Sequence, residues 1–351
     1  MIPQHAKPVA AWLFSICALI FFMVVLGGVT RLTESGLSMV NWHPVTGWLP
    51  PLDAETWEAV FADYRQSPEY HKVNAGMTVD EFKSIFWLEY LHRLMGRMIG
   101  IVFFVPMAVF TFKGFIKGAL LWKVTGLFVL GALQGVLGWY MVKSGLVDRP
   151  DVSQYRLAAH LGLALVIFAA VLWVALGLLK PVPDVPADGE QVSRRFGRAA
   201  WALLGLISVT IVSGAFVAGL DAGHVYNTFP LMDGDLIPDG LGDMSPPYLN
   251  IFENVMTVQF DHRVLAITVL LSVAVFWWRA GRAGLADSQR LAAQVLGAVV
   301  VVQLGLGIST LLLVVPISLA ALHQAGAVIL LGVNVWLVHE FRSGPASGEA
   351  P

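Results

Sequence analysis

The chain is 351 residues long, 57% hydrophobic and only 13% charged, with a mean hydropathy of +0.71. A soluble globule of this size needs more polar surface than that composition supplies, so a membrane protein is expected. The formal net charge of −2 says nothing about nucleic acid, which is not expected as a partner of a membrane protein of this kind.

A helix needs roughly 20 mainly apolar residues to cross about 30 Å of hydrocarbon. Eight runs meet that length, at about 10–30, 85–111, 120–142, 157–179, 199–219, 258–278, 291–314 and 319–339. The expected fold is therefore an all-α membrane protein of eight transmembrane helices. The first run has a short, weakly basic lead and no small-residue cleavage site, so it reads as retained; no Arg-rich, Ser-rich leader precedes it, which points to a bacterial inner membrane. The single cysteine, Cys17, lies within that run and forms no intrachain disulfide. Between the first two runs, the long segment 31–84 carries structure of its own. Asp53 to Tyr64 reads as an amphipathic helix with Trp57, Val60, Phe61 and Tyr64 on one face, suited to the membrane interface. Thr78-x-x-Glu81 is a capping box that starts a helix leading into the second span.

Lys7, Lys113, Lys117, Lys123, Lys180, Arg194, Arg195, Arg198, Arg279, Arg282, Arg290 and Arg342 all fall on one side of the eight-span arrangement. By the positive-inside rule that side is cytoplasmic, as are both termini. The segment from about 220 to 257 has Asp221, Asp233, Asp235, Asp239, Asp243 and Glu253 with no Lys or Arg, as an external loop can.

The polar, proline-rich stretch 180–198 divides the spans into four plus four. The two parts echo each other: Leu91-His92-Arg93 with Asp261-His262-Arg263, Gln134-x-x-x-Gly138 with Gln303-x-x-x-Gly307, His160 with His323, and Asn41-x-x-Pro44 with Asn227-x-x-Pro230. Each match is weak alone, but their order is preserved at offsets between about 163 and 186 residues, which indicates duplication. The expected organisation is an N-terminal four-helix half (1–179, containing the external segment 31–84), a cytoplasmic linker (180–198), a C-terminal four-helix half (199–342) and a tail (343–351). Halves with an even number of spans keep one orientation, so a pseudo-two-fold axis along the membrane normal should relate them.

Ionisable side chains inside a bilayer are costly, and four spans each carry one histidine a turn or two from the outer end: His92, His160, His262 and His323. Two neutral imidazoles from facing helices can take both axial positions of a haem iron. A histidine hydrogen-bonded to a neighbouring helix is the plain alternative for any one of them, but four at matched depth in a repeat favour the ligand reading. The repeat pairs His92 with His160 and His262 with His323. Arg93 and Arg263 can meet haem propionates or simply snorkel to the interface. Glu89 shares a helical face with His92, whereas Gln259 holds the matching place before His262. A carboxylate beside a haem can move protons or stabilise positive charge; an amide cannot ionise. Glu89 can also serve only as the ion-pair partner of Arg93 or Arg97. The glycines Gly27, Gly28, Gly131, Gly135, Gly138, Gly214, Gly305 and Gly307 permit close helix approach or room for a flat macrocycle.

The sequences Gly28-Val-Thr-Arg-Leu-Thr-Glu-Ser-Gly-Leu-Ser, Asn41-Trp-His-Pro and Glu89-Tyr-Leu-His-Arg-Leu-Met-Gly-Arg97 resemble the haem A synthase family of proteobacteria and mitochondria, and the similarity extends over the whole chain. The resemblance implies an enzyme of cytochrome oxidase assembly that oxidises the C8 methyl group of haem O to the formyl group of haem A, through two hydroxylations and loss of water from a gem-diol. It implies a haem b cofactor on His262 and His323. It places the substrate haem O at His92 and His160, with Glu89 catalytic. It further implies a haem O synthase and an electron donor or acceptor as partners, beside membrane lipid and compatibly with a homo-oligomer. Other members carry a cysteine pair in the first external loop; this chain has none there.

Two other readings stay open at this point. A di-haem cytochrome b that only relays electrons predicts two equivalent permanent haems. A proton-coupled transporter predicts broken helices near the midplane, for which Pro106 is the slight support.

Overall fold

The computed structural model describes residues 5–42, 47–145, 152–184 and 190–342. Pro44 of the Asn41 motif and the tail 343–351 lie outside the described residues. Eight helices are long and apolar enough to cross a membrane, as expected: α1 (Ala6–Leu32), α4 (Val79–Phe112), α5 (Ala119–Gly145), α6 (Gln154–Leu179), α7 (Glu190–Gly219), α9 (Val255–Ala280), α10 (Asp287–Leu312) and α11 (Ile317–Glu340). Among the described residues three short α-helices lie between them, α2 (Ala54–Tyr64), α3 (Pro68–Lys72) and α8 (Asn250–Glu253), with single 3-10 turns at Ala222–His224 and Pro247–Leu249. Helix α7 begins at Glu190, so the second part of the polar stretch 180–198 is helical. Helix α4 runs without a break through Pro106. By compactness the chain divides into one unit of residues 18–167 and another of 1–17 with 168–351, the division falling inside α1 and α6.

In the second of these units α7, α9, α10 and α11 form a ring in which α7 packs on α9 and α11, and α10 packs on the same two helices. The core follows from helical spacing. Ala200, Leu203 and Ile207 recur on one face of α7, Val269, Val273 and Phe276 on one face of α9, and Leu296 and Val300 on α10, all buried together. At the end of this bundle that holds the C-terminus of α11, Lys180 bridges Asp184 at 2.8 Å, Ser288 at 3.0 Å and Glu340, while Trp336 Nε1 donates to the other carboxylate oxygen of Glu340 at 3.1 Å.

In the unit 18–167 the segment between α1 and α4 folds onto α4. Asp53 caps α2 by accepting from the Thr56 backbone N–H at 2.8 Å, and the capping box of Thr78 and Glu81 starts α4 well before its apolar run. The apolar face of α2 packs on this extension of α4 and not on the membrane interface. Trp57 meets Phe86 edge-on at 4.9 Å, Phe61 lies 5.0 Å from Phe82, and Tyr64 stacks on Phe82 at 4.9 Å. Offset and edge-on aromatic pairs contribute about 0.5–1.5 kcal/mol each beyond burial, enough to hold a two-helix flap in place.

Candidate functional site

Each of the four histidines is half-buried and faces a glycine of a neighbouring helix. Gly27 on α1 abuts His92 Nε2, and Gly138 on α5 abuts His160 Cε1, each with 3.0 Å between the ring atom and the place a Cβ would occupy. In the other unit Gly214 on α7 abuts His262 Cε1 at 3.0 Å and Gly307 on α10 abuts His323 Cε1 at 2.7 Å on the same measure. Only glycine lets the imidazoles lie so close to the facing backbone. Gly131, Gly135 and Gly305 meet nothing in this way.

A glutamine serves one ring of each pair. Gln134 Nε2 donates to the His160 carbonyl at 2.9 Å and lies 3.2 Å from its Nδ1; Gln303 does the same to His323 at 2.9 and 3.1 Å. The Oε1 atoms of both glutamines are buried without a partner among the described residues. His262 has a further contact: Ser213 Oγ lies 2.8 Å from its Nδ1 and donates to the Thr210 carbonyl at 2.7 Å. With its own proton so committed, the hydroxyl accepts from Nδ1–H, which leaves His262 Nε2 free as a ligand. The place before Gly27 that matches Ser213 is Leu26, so His92 lacks this hydroxyl.

The rings of His262 and His323 are 6.5 Å apart, centre to centre, at 89° to each other. Two metal–nitrogen bonds of about 2.0–2.1 Å, with about 1.1 Å from each ring centre to its nitrogen, span about 6.3 Å, so the pair fits one metal atom between them. His92 and His160 are near enough to interact electrostatically. Among the described residues no group of three or more His, Cys, Asp or Glu side chains gathers as a metal site. Pairs suit a metal whose remaining positions are filled by a macrocycle.

Beside the histidines the two units match in outline and differ in chemistry. Glu89, 2% exposed, accepts from Arg93 Nη2 at 2.5 Å, from Ser38 Oγ at 2.7 Å and from the Met39 backbone N–H at 2.8 Å. Arg93 also donates to the Met39 and Asn41 carbonyls at 2.8 and 3.1 Å, and its guanidinium lies 4.8 Å from the Trp42 ring centre. In the other unit Gln259 Oε1 accepts from Arg263 Nη2 at 2.6 Å, and Arg263 donates to the carbonyls of Tyr226 and Thr228 at 2.5 and 2.7 Å. Gln259 Nε2 donates to the Ala222 and Val225 carbonyls. Glu89 therefore does pair with Arg93. Both arginines staple an interhelical loop to the start of a histidine-bearing helix, a role that sequence reasoning, which offered propionates or snorkelling, missed. The Nε of each remains buried and unpartnered among the described residues, which leaves each a donor for an anionic group.

Residues 10–335 match the model of a family described as cytochrome oxidase assembly protein. The chain belongs to this family. It is 53% identical to a haem A synthase of Nitrosospira multiformis over 96% of this chain and 94% of that protein. It is 51% identical to one of Parvibaculum lavamentivorans over 96% and 94%, and 47% identical to human haem A synthase COX15 over 97% of this chain and 84% of that protein. Members of this family from bacteria and animals thus share nearly the whole length of the eight-helix chain, including all four histidines' helices.

Sequence reasoning also missed Glu69, a buried carboxyl in the segment between α1 and α4; it stands among polar loop residues, where an acidic side chain reads as solvated.

Proposed function

We propose that this multi-pass membrane protein acts as a haem A synthase in which the two histidine pairs divide the work. His92 and His160 hold the substrate haem O, whose C8 methyl group is oxidised to a formyl group, and Glu89 acts beside it. His262 and His323 hold a resident haem b, which supplies one-electron redox chemistry when bound. The observation that carries the division is the contrast between Glu89 and Gln259 in otherwise matching surroundings. Ser213 beside His262 supports it, because an oriented ligand suits a permanent cofactor, while the unassisted His92 suits a substrate that must leave.

Glu89 is held by a guanidinium, a hydroxyl and a backbone N–H, all donors. A fixed negative charge in a site of low dielectric stabilises positive charge developing on the substrate. Arg93 and Arg263, through their free Nε atoms, are placed to receive propionates and so to orient each macrocycle. The repeated contacts of glycine, glutamine and arginine in the two units support a gene duplication with halves 1–179 and 199–342 joined at 180–198. The positions of Lys and Arg support cytoplasmic termini. The likeness to bacterial haem A synthases supports a bacterial inner membrane, with a haem O synthase and an electron partner as functional neighbours. A di-haem relay would need equivalent sites, which the pair Glu89 and Gln259 disfavours.

The test is purification from a host supplied with haem O, followed by extraction and mass analysis of the pigments. Haem A and haem O beside haem b are expected, with haem A lost in Glu89→Gln. Haem b alone at two equal sites, unchanged in Glu89→Gln, would sink the proposal.

A further inference from the structure

Glu69 on α3 sits among exposed neighbours, Arg65, Gln66, His71 and Lys72, yet is itself only 4% exposed. Its Oε2 is buried with no hydrogen-bond partner, and no cation among the described residues pairs with it. The groups that face it come from three other elements. Tyr64 of α2 turns its hydroxyl to the carboxyl and accepts from Asn74 Nδ2 at 2.7 Å; Glu89 of α4 and Glu34 of the turn after α1 act on it through their charge. On its own helix His71 and Lys72 are exposed and Tyr70 is half-buried. Burial first, then the charges of Glu89 and Glu34, push the Glu69 carboxyl up to about 8, with Tyr64 alone opposing. At neutral pH it is therefore a protonated acid next to a carboxylate.

A cavity opens beside the start of this acid's helix. A cavity of about 270 Å3 is lined by Val40, Asn41, Asp63, Gln66, Ser67 and Pro68, the last two directly preceding Glu69. Val40 and Asn41 continue the same short stretch whose Met39 N–H binds Glu89 and whose Met39 and Asn41 carbonyls bind Arg93. The residues directly before Glu69 and the stretch that holds the charged pair of the reaction site thus line one cavity, and the charge of Glu89 acts on the Glu69 carboxyl.

We infer that Glu69 is the proton-exchanging residue of that site: its carboxyl gives a proton to the cavity water when positive charge builds on the substrate beside Glu89, and takes one back when that charge is gone. The step is a proton transfer alone. The Glu69 O–H bond breaks, the proton passes to water, and the carboxylate left behind opposes the new positive charge; no electron moves. The coupling follows from what holds the proton. Negative neighbours disfavour ionisation of Glu69, and a positive charge arriving next to them removes that disfavour. This inference rests on the proposed role of the His92 and His160 site.

The test uses the full-length protein loaded with haem O, as wild type, Glu69→Gln, Glu69→Asp and Glu89→Gln. Resident haem content, equal in all four, checks the fold. The infrared spectrum at neutral pH should show a protonated-carboxyl carbonyl band that titrates away near pH 8 and is missing in Glu69→Gln. Turnover in Glu69→Gln should fall by about tenfold to a hundredfold, at or below the lower end of what a positioned proton-transfer group contributes. Its pH profile should lose the limb that Glu69→Asp keeps. A band that survives in Glu69→Gln, or a wild-type rate and pH profile in that variant while Glu89→Gln is inactive, would overturn the inference and leave the site assignment standing. Full turnover in Glu89→Gln would overturn both.

Discussion

Gly307→Ala separates the fold from the cofactor site, because its two effects have opposite signs. A Cβ at Gly307 would lie 2.7 Å from His323 Cε1, with Nδ1 at 3.3 Å and Nε2 at 3.4 Å. Carbon atoms are at ease from about 3.5 Å, so the ring must withdraw by about 0.8 Å. Metal–ligand distances tolerate about 0.2 Å, and a displaced ligand ring costs roughly 10–100-fold in affinity, or about 1.4–2.8 kcal/mol. The same substitution favours the α10 helix itself by about 0.5–1 kcal/mol, since alanine restricts the unfolded chain where glycine does not. The variant should therefore fold at least as well as the wild type and hold less resident haem. Haem b per polypeptide, measured by absorbance after purification under limiting haem, reads the first effect; thermal unfolding of the haem-free protein reads the second. Gly305→Ala is the control, because nothing lies within 4 Å of a Cβ there. Full haem occupancy in Gly307→Ala with an unchanged spectrum would refute the contact argument, as would equal haem loss in Gly305→Ala.

Glu89→Gln should lower turnover by about 10²–10⁴-fold while haem b content is kept, because Gln259 already shows that an amide can hold the following arginine; rapid turnover by the purified variant would exclude the charge argument. Ser213→Ala removes the acceptor for His262 Nδ1–H and should weaken resident haem by roughly 10–100-fold with haem O binding unaltered, checked by competition titration. Glu69 carries more protons folded than unfolded between about 4.5 and about 8, so it makes stability fall as pH rises through that window. Glu69→Gln should flatten that slope and melt higher than the wild type above pH 8 in detergent; an unchanged slope would contradict its burial as a protonated acid. Lys180→Met strands the 4%-exposed Glu340 and should cost about 3–5 kcal/mol, which Lys180→Met with Glu340→Leu should largely restore in the same melting assay.

The parts of this protein that were legible in its sequence are those governed by one helix at a time. Apolar runs long enough to span a bilayer gave all eight helices, and the three-residue spacing of Glu89 and His92 placed both on one face. What a residue meets on another helix was not legible. Of the glycines flagged for close approach, Gly27, Gly138, Gly214 and Gly307 meet histidine rings and Gly131, Gly135 and Gly305 do not, a distinction set by helix rotation that apolar periodicity leaves free. Ser213 was hidden for a related reason: a serine in a spanning helix ordinarily bonds its own backbone, and Ser213 does so at Thr210 while also serving His262. The capping box placed the start of α4 at Thr78, but the packing of α2 escaped because an amphipathic helix in a loop matches a membrane interface and an aromatic cluster equally well until Phe82 and Phe86 are seen beneath it.

The contacts that repeat between the two units and those that do not sort into different tasks. Glycine against imidazole, glutamine against the next ring and arginine against loop carbonyls occur in both. The differences fall where chemistry or residence time is decided: Glu89 against Gln259, and Leu26 against Ser213. On the proposed function, two like slots hold two like molecules, the charge of Glu89 serves the reactive one and the hydroxyl of Ser213 serves the retentive one. Both slots would then have to keep their shape while one of them empties, and an arginine staple in each would serve that. Removing a staple from the second unit, where no carboxylate depends on it, should loosen the loop from Tyr226 to Thr228 and the resident ligand together. Arg263→Met should therefore lose haem b and gain proteolytic cleavage in that loop in parallel, and loss of one without the other would show that the arginine serves only the loop or only the ligand.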